Sequence, residues 1–314
     1  MAWTADNMPD LPGKVAIVTG GNGGLGLETV RELTRNGAHV IMASRNLEKA
    51  AAAEDDVRGD VTDASLGVRK LDLSSLAAIK EFTDGVLADH DTIHLLFNNA
   101  GVMATPEWET EDGFEMQFGT NHLGHFYLTY LLLPAILRSG DGRVVNTTST
   151  ARFSAGNYDL TNPHLRGEYK PWTAYGYSKL ANVHFTLELN RRLAEAGSKV
   201  TSLTADPGFS STELQATSAQ NSGSTSSKFF HSAVKYFGQS AARGALPQLR
   251  AGTDRSLEGG TLQRPKWITR GDPVEGKIGG NLRKPDDLSM LWSVSENETG
   301  IDFDVAGMVA ASSS

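Results

Sequence analysis

Val15-Ala16-Ile17-Val18-Thr19-Gly20-Gly21-Asn22-Gly23-Gly24-Leu25-Gly26 is the stretch on which the fold turns. The apolar, mostly β-branched run at 15–18 reads as a buried strand. It breaks into glycines, after which Leu25, Val30 and Leu33 follow a helical pattern and Gly37 marks its stop. Strand, side-chain-free turn and helix start together make a seat for a pyrophosphate. The backbone can approach the phosphate oxygens, and the unpaired N–H groups of the first helical turn point at their charge. A glycine turn alone would mean little, because ordinary tight turns use the same residue. The strand before it and the helix after it are what favour the phosphate reading.

Moving outward, residues 39–45 read as a second strand that ends on Ser44-Arg45. Here a dinucleotide fold meets the adenosine ribose. A carboxylate would bind a free 2′-hydroxyl and repel a 2′-phosphate, whereas Ser44 and the planar donor of Arg45 suit the phosphate. NADP(H) is therefore expected over NAD(H), with a solvated surface arginine as the alternative. Further strands are expected at 68–73, 93–97, 143–148 and 199–205, and a last one at 260–263. Helices are expected at 46–57, 76–87, 110–138, 174–196, 244–251 and 285–299. Strands alternating with helices predict an α/β chain: a single doubly wound Rossmann-type domain over 1–314, its parallel sheet of about seven strands covered by helices on both faces. Residues from about 256 onward form a C-terminal extension. Ligands on such sheets sit beyond the carboxyl ends of the strands, where Asn98-Asn99-Ala100-Gly101, Ser149 and Asp206-Pro207-Gly208 fall.

The chain has 314 residues and a formal net charge of −8, which argues against nucleic acid or an anionic membrane as the main partner. It contains no cysteine, so disulfides, thiolate nucleophiles and cysteine metal sites are excluded. Residues 1–12 are polar and the most apolar run, 123–137, is short for a membrane span. A soluble, cytoplasmic protein without a membrane span is expected. His122 and His125 lack a third ligand in the sequence, so packing is expected of them and no metal.

Tyr175 and Lys179 lie four residues apart on the 174–196 helix and so share a face. A free phenol, with a pKa of about 10, exchanges protons poorly at neutral pH. A neighbouring ammonium, that of Lys179, together with the positive charge of a nicotinamide ring, is expected to lower that value. Ser149 can hydrogen-bond a substrate oxygen on which charge develops. The irregular stretch 151–173 is long for a connection inside a compact domain, which suggests service to a site. Its aromatics Phe153, Tyr158, Tyr169 and Trp172, with Phe209, Phe229 and Phe230, suggest a roomy apolar pocket, core packing being the alternative. Residues 213–240, polar and then apolar, read as a substrate lid.

Residues 19–26, 98–101, Asn121, Ser149, Tyr175 with Lys179, and Pro207-Gly208 stand in the order and rough spacing of the short-chain dehydrogenase/reductase family, which the chain resembles over about 12–212. More narrowly, Asn121-His122-Leu123-Gly124-His125-Phe126 and Tyr175-Gly176-Tyr177-Ser178-Lys179-Leu180-Ala181-Asn182 look like the branch that holds retinol dehydrogenases, WW-domain oxidoreductases and protochlorophyllide reductases. The resemblance implies a catalytic tetrad: Tyr175 as general acid/base, Ser149 orienting the carbonyl, Lys179 holding the nicotinamide ribose, and Asn121 keeping a water in the proton path. It implies cofactor contacts from Gly20, Asn22, Gly23, Gly24, Leu25 and Gly26, from Asp72 and Leu73 at the adenine, from Asn99, Ala100 and Gly101 at the adenosine ribose, and from Pro207, Gly208 and Thr212 at the carboxamide. It also implies a homodimer or homotetramer through the helices at 121–137 and 174–196.

The chain departs from the pattern in places. Gly23 stands where many relatives carry serine, Asp206 where this branch often has histidine, and Ser210 where an aliphatic residue is usual. No cysteine is present for the role one plays in protochlorophyllide reductases. The activity expected is NADP(H)-dependent hydride transfer between nicotinamide and a lipophilic secondary alcohol, ketone or aldehyde. A catalytically silent NADP(H)-binding regulator and a nucleotide-sugar epimerase or dehydratase are the alternatives.

Overall fold

In the computed structural model, which describes residues 2–156, 158–209 and 239–312, one eight-stranded sheet runs through the chain. Its strands are β1 (Val15–Thr19), β2 (His39–Ser44), β3 (Leu66–Lys70), β4 (Leu95–Asn98), β5 (Arg143–Thr147), β6 (Thr201–Ala205), β7 (Leu262–Pro265) and β8 (Pro273–Gly276). Their order is β3-β2-β1-β4-β5-β6-β7-β8. The first seven run parallel, and β8 returns antiparallel to β7. Between β1 and β4 the winding reverses, and the carboxyl ends of the strands there border a crevice.

The central strands are buried on both faces, so side chains alternate between two cores. Ala16, Val18, Val40, Met42, Leu95 and Phe97 face one of them. That core is covered by α1 (Gly24–Arg35), α2 (Leu47–Asp60) and α6 (Ala241–Thr253). Ile17, Ile41, Leu96 and Val144 face the other, under α3 (Leu76–Asp89), α4 (Gly124–Leu137) and α5 (Pro171–Glu195). The doubly wound α/β architecture is as expected, with an eighth strand and a terminal helix, α8 (Val305–Ser312), beyond it.

Several boundaries differ from the sequence reading. β3 stops at Lys70 rather than at residue 73, because its ladder pairs Val40 with Leu66 through Ser44 with Lys70 and β2 ends there. Asp72 then turns the chain by accepting from the Ser74 N–H at 2.9 Å. The helical region expected from 110 begins at Met116, where the Glu115 carboxylate caps it by accepting from the N–H groups of Gln117 and Phe118 at 2.8 and 2.6 Å. Gly119–Leu123 then winds as a π-helical turn before α4. α5 starts at Pro171, a residue suited to the first helical turn.

α7 (Pro285–Thr299) and α8 lie against α4 and α5. Trp292 packs on Phe126 and Phe303 with ring centroids 5.2 and 4.8 Å apart, and the Arg192 guanidinium stacks over its face at 4.3 Å. Phe126, Phe185, Leu189 and Leu193 are thereby buried inside one chain. The apolar face shared by these helices is filled by the chain's own C-terminal residues. Trp292→Ala is expected to cost about 3–5 kcal/mol of stability, read as a lower midpoint in chemical denaturation.

Candidate active site

The glycine turn after β1 is built by close approach. Gly20 has φ +66, and a Cβ on Gly26 would lie 2.2 Å from the Gly20 carbonyl oxygen and 2.7 Å from Asn99 Nδ2. No side chain larger than hydrogen fits at Gly26 without moving backbone.

Thr19 ties this turn to the end of β4. Its hydroxyl accepts from the N–H groups of Asn99 and Ala100, each at 2.9 Å, while Asn99 Nδ2 donates to the Thr19 carbonyl at 2.8 Å. His125 stands behind it. Burial pushes this imidazole down to about 4, so it is neutral at pH 7. Its Nδ1 lies 3.0 Å from the Asn121 carbonyl, which can only accept, so the ring proton sits there. Nε2, 2.9 Å from the Thr19 hydroxyl, is then left to accept from it. His125 does more than the packing role expected of it, whereas His122 is fully buried and hydrogen-bonds Ser295 at 2.8 Å.

A cavity of about 580 Å³ opens over the carboxyl ends of β1, β4, β5 and β6. It is lined by Gly20, Asn22 to Gly26, Asn99 to Gly101, Ser149, Tyr175, Lys179, Pro207 and Gly208, which the sequence scatters over 189 positions. α5 presses against the Ser149 turn at Gly176, where a Cβ would lie 2.5 Å from the Ala151 carbonyl oxygen. That closeness brings the Ser149 hydroxyl and the Tyr175 phenol together in the cavity wall. Lys179 donates from Nζ to the Thr147 carbonyl at 3.2 Å and lies 5.7 Å from the centre of the Tyr175 ring.

Burial dominates the proton affinities that the protein's own groups set. Burial pushes the Tyr175 phenol well above its ordinary value, opposed by the Ser149 hydrogen bond and reinforced by the charge of Asp206. Burial also brings the Lys179 ammonium down to about 8. Among the protein's own groups, desolvation is the largest influence on the phenol; the expectation of an acidic phenol included the charge of a nicotinamide ring as well.

Asn121 does not line the cavity. Its side chain accepts from Val102 N–H at 2.8 Å and donates to the Val102 carbonyl and Ser178 hydroxyl, each at 2.9 Å, pinning the β4 loop to α5. Ser44, Arg45, Asp72 and Leu73 also lie outside the cavity lining, at the ends of β2 and β3. Thr212, most of the expected lid, Phe229 and Phe230 lie outside the described residues.

Among the described residues, only some of the expected aromatics reach the cavity. Trp172 and Phe209 line the cavity, but Phe153 is 75% exposed. Tyr158 packs on Tyr177 with ring centroids 4.4 Å apart, and Tyr169 donates to the Thr105 carbonyl at 2.9 Å. Composition alone could not separate these fates. Met103, Thr147, Thr148, Thr150, Ala151 and Ser154 complete the lining. Among the described residues no helix is long and apolar enough to cross a membrane.

The short chain dehydrogenase family model matches residues 14–223. The chain belongs to this family. Human retinol dehydrogenase 13 is 46% identical over 205 residues, which are 65% of this chain and 61% of that protein. Human retinol dehydrogenase 12 is 46% identical over 204 residues, 65% of this chain and 64% of that protein. The chain thus spans about three-fifths of the length of these curated relatives. The crystal structure of an uncharacterized protein from Mycobacterium paratuberculosis superposes with a TM-score of 0.78 at 36% identity, covering 96% of this chain and 99% of that one. In this short-chain dehydrogenase, which stands in the retinol dehydrogenase-like branch, the family match takes in the whole glycine turn, Ser149, Tyr175 and Lys179.

Proposed function

We propose that this short-chain dehydrogenase is an NADP(H)-dependent oxidoreductase acting between a lipophilic secondary alcohol and its ketone, or an aldehyde. The observation that carries the reading is the convergence of Ser149, Tyr175 and Lys179 in one cavity with the glycine turn. The turn fits a dinucleotide: Gly20, Gly24 and Gly26 leave room for a pyrophosphate above the N-terminus of α1. Asn99 to Gly101 would flank the adenosine ribose and Lys179 the nicotinamide ribose. When bound, the nicotinamide supplies or accepts the hydride.

The chain's own residues handle the proton. In the reduction direction, the Ser149 hydroxyl donates a hydrogen bond to the carbonyl oxygen and the Tyr175 phenol gives that oxygen its proton. Burial keeps the phenol neutral, the form needed to donate. Lys179, near its own midpoint at about 8, can return a proton to the phenol. Trp172, Met103 and Phe209 give the substrate end an apolar wall, which supports a lipophilic substrate. Initial rates of NADPH oxidation with a panel of ketones and aldehydes test the reading; tight binding without turnover on any of them overturns it.

Cofactor choice is assigned to Arg45, exposed just beyond the buried Ser44 at the end of β2. Arg45→Ala is expected to weaken NADPH by about 10- to 100-fold while leaving NADH within about 2-fold, the loss of a charge-assisted contact to the 2′-phosphate. Equal losses for both nucleotides would remove the assignment.

A further inference from the structure

A buried ion pair lies beside the reaction centre and outside the proton path. Arg152 and Asp206 have side chains 6% and 1% exposed, with Nη1 2.7 Å from Oδ2. The same Nη1 donates to the Ser149 carbonyl at 2.9 Å. The other carboxylate oxygen, Oδ1, accepts from the Gly208 N–H at 3.0 Å. The guanidinium also lies 4.5 Å from the centre of the Phe153 ring, which explains how so exposed an aromatic is held. One contact therefore joins the turn after β5 that presents Ser149 to the turn after β6 that presents Pro207 and Gly208. Asp206 is also a position at which this chain departs from the pattern it resembles.

Such a pair contributes little net stability. Removing two charges from water offsets their attraction, and well-packed neutral replacements are often no worse. Directional contacts to two cavity-lining turns give it a different use. We propose that Arg152 and Asp206 are positioning residues of this active site, a charge clamp that holds the Ser149 turn against the Pro207–Gly208 turn. Its effect on turnover rests on the oxidoreductase reading above; its effect on the local field does not. The Asp206 charge raises the proton affinity of both Tyr175 and Lys179 on α5, and Arg152 is the cation in contact with it. On the far side, Lys277 borders a small cavity of about 110 Å³ that Arg152 also lines.

The absence of cysteine allows a test that needs no turnover. Ser149→Cys installs a single thiol, whose ionisation is read from its rate of alkylation by iodoacetamide as pH is varied. In that background Arg152→Met strands the carboxylate and is expected to raise the thiol pKa by about one unit. Asp206→Asn strands the guanidinium and is expected to lower it by about as much. The double variant Arg152→Met/Asp206→Asn is expected to return it close to the starting value. In chains that keep Ser149, the acid limb of alcohol oxidation should move the same way in each variant. Shifts of one sign in both single variants, or none in either, overturn the clamp, even where both variants lose thermal stability together. If Arg152→Met does not fold, the downward shift of Asp206→Asn and its reversal in the double variant decide the matter, and the absence of either overturns the proposal. Thiol shifts as expected in a chain whose parent turns over no alcohol or carbonyl would uphold the clamp and sink the oxidoreductase reading alone.

Discussion

Tyr175→Phe is expected to lower kcat for carbonyl reduction by about 10²- to 10⁴-fold, the range a positioned acid contributes, while KM and the Kd for NADPH stay within about 3-fold. The substitution removes one oxygen and keeps the ring, whose edge-to-face contact with Trp172 at 6.2 Å and packing on Met103 are untouched. Substrate and cofactor therefore meet the same walls, and what disappears is the proton. Burial adds a pH signature. The neutral phenol persists above its ordinary range, so the alkaline fall in reduction should follow Lys179, with a midpoint near 8, rather than the phenol. Initial rates across pH for parent and variant check both statements. A variant that still turns over within a few-fold of the parent would assign the proton to another group.

Gly26→Ala should be as damaging, for a purely steric reason. The added methyl would sit 2.2 Å from the Gly20 carbonyl oxygen and 2.7 Å from Asn99 Nδ2, which is held by its bond to the Thr19 carbonyl. Either the turn opens or α1 shifts, at a cost of about 1–3 kcal/mol in an overpacked site. NADPH affinity is expected to fall by about 100-fold or more, measured by fluorescence titration. Gly23→Ser is the contrasting case. Gly23 has φ −174, an extended backbone that any residue adopts, and it occupies the N-cap of α1 without a capping side chain. Serine there should be tolerated and stabilise by a few tenths of a kcal/mol, since glycine is itself a fair cap. Equal damage from both substitutions would show that glycine content, rather than the contact at Gly26, governs the turn.

Local pattern carried much of this molecule. The strand–glycine–helix sequence at 15–35, the alternation of strands with helices, and the four-residue spacing of Tyr175 and Lys179 are short-range features. They follow from backbone sterics and helical pitch, which neighbouring residues decide by themselves. The doubly wound α/β fold and the positions of most cavity-lining residues could be read on those grounds. Element ends were less legible: β3 stops where its partner β2 stops, and the helix toward α4 starts where Glu115 reaches its N–H groups.

Only the tertiary structure decided which polar groups meet and which stay dry. Arg152 and Asp206 are 54 positions apart in sequence and touch because β5 and β6 lie side by side. The aromatics at 153, 158, 169 and 172 look alike on paper, yet one faces solvent, two brace other elements and one lines the cavity. The phenol's proton affinity is likewise set first by burial, which its place in the sequence does not reveal. Desolvation is set by everything that packs around a group, and a neighbour four residues away on a helix is only one part of that surrounding.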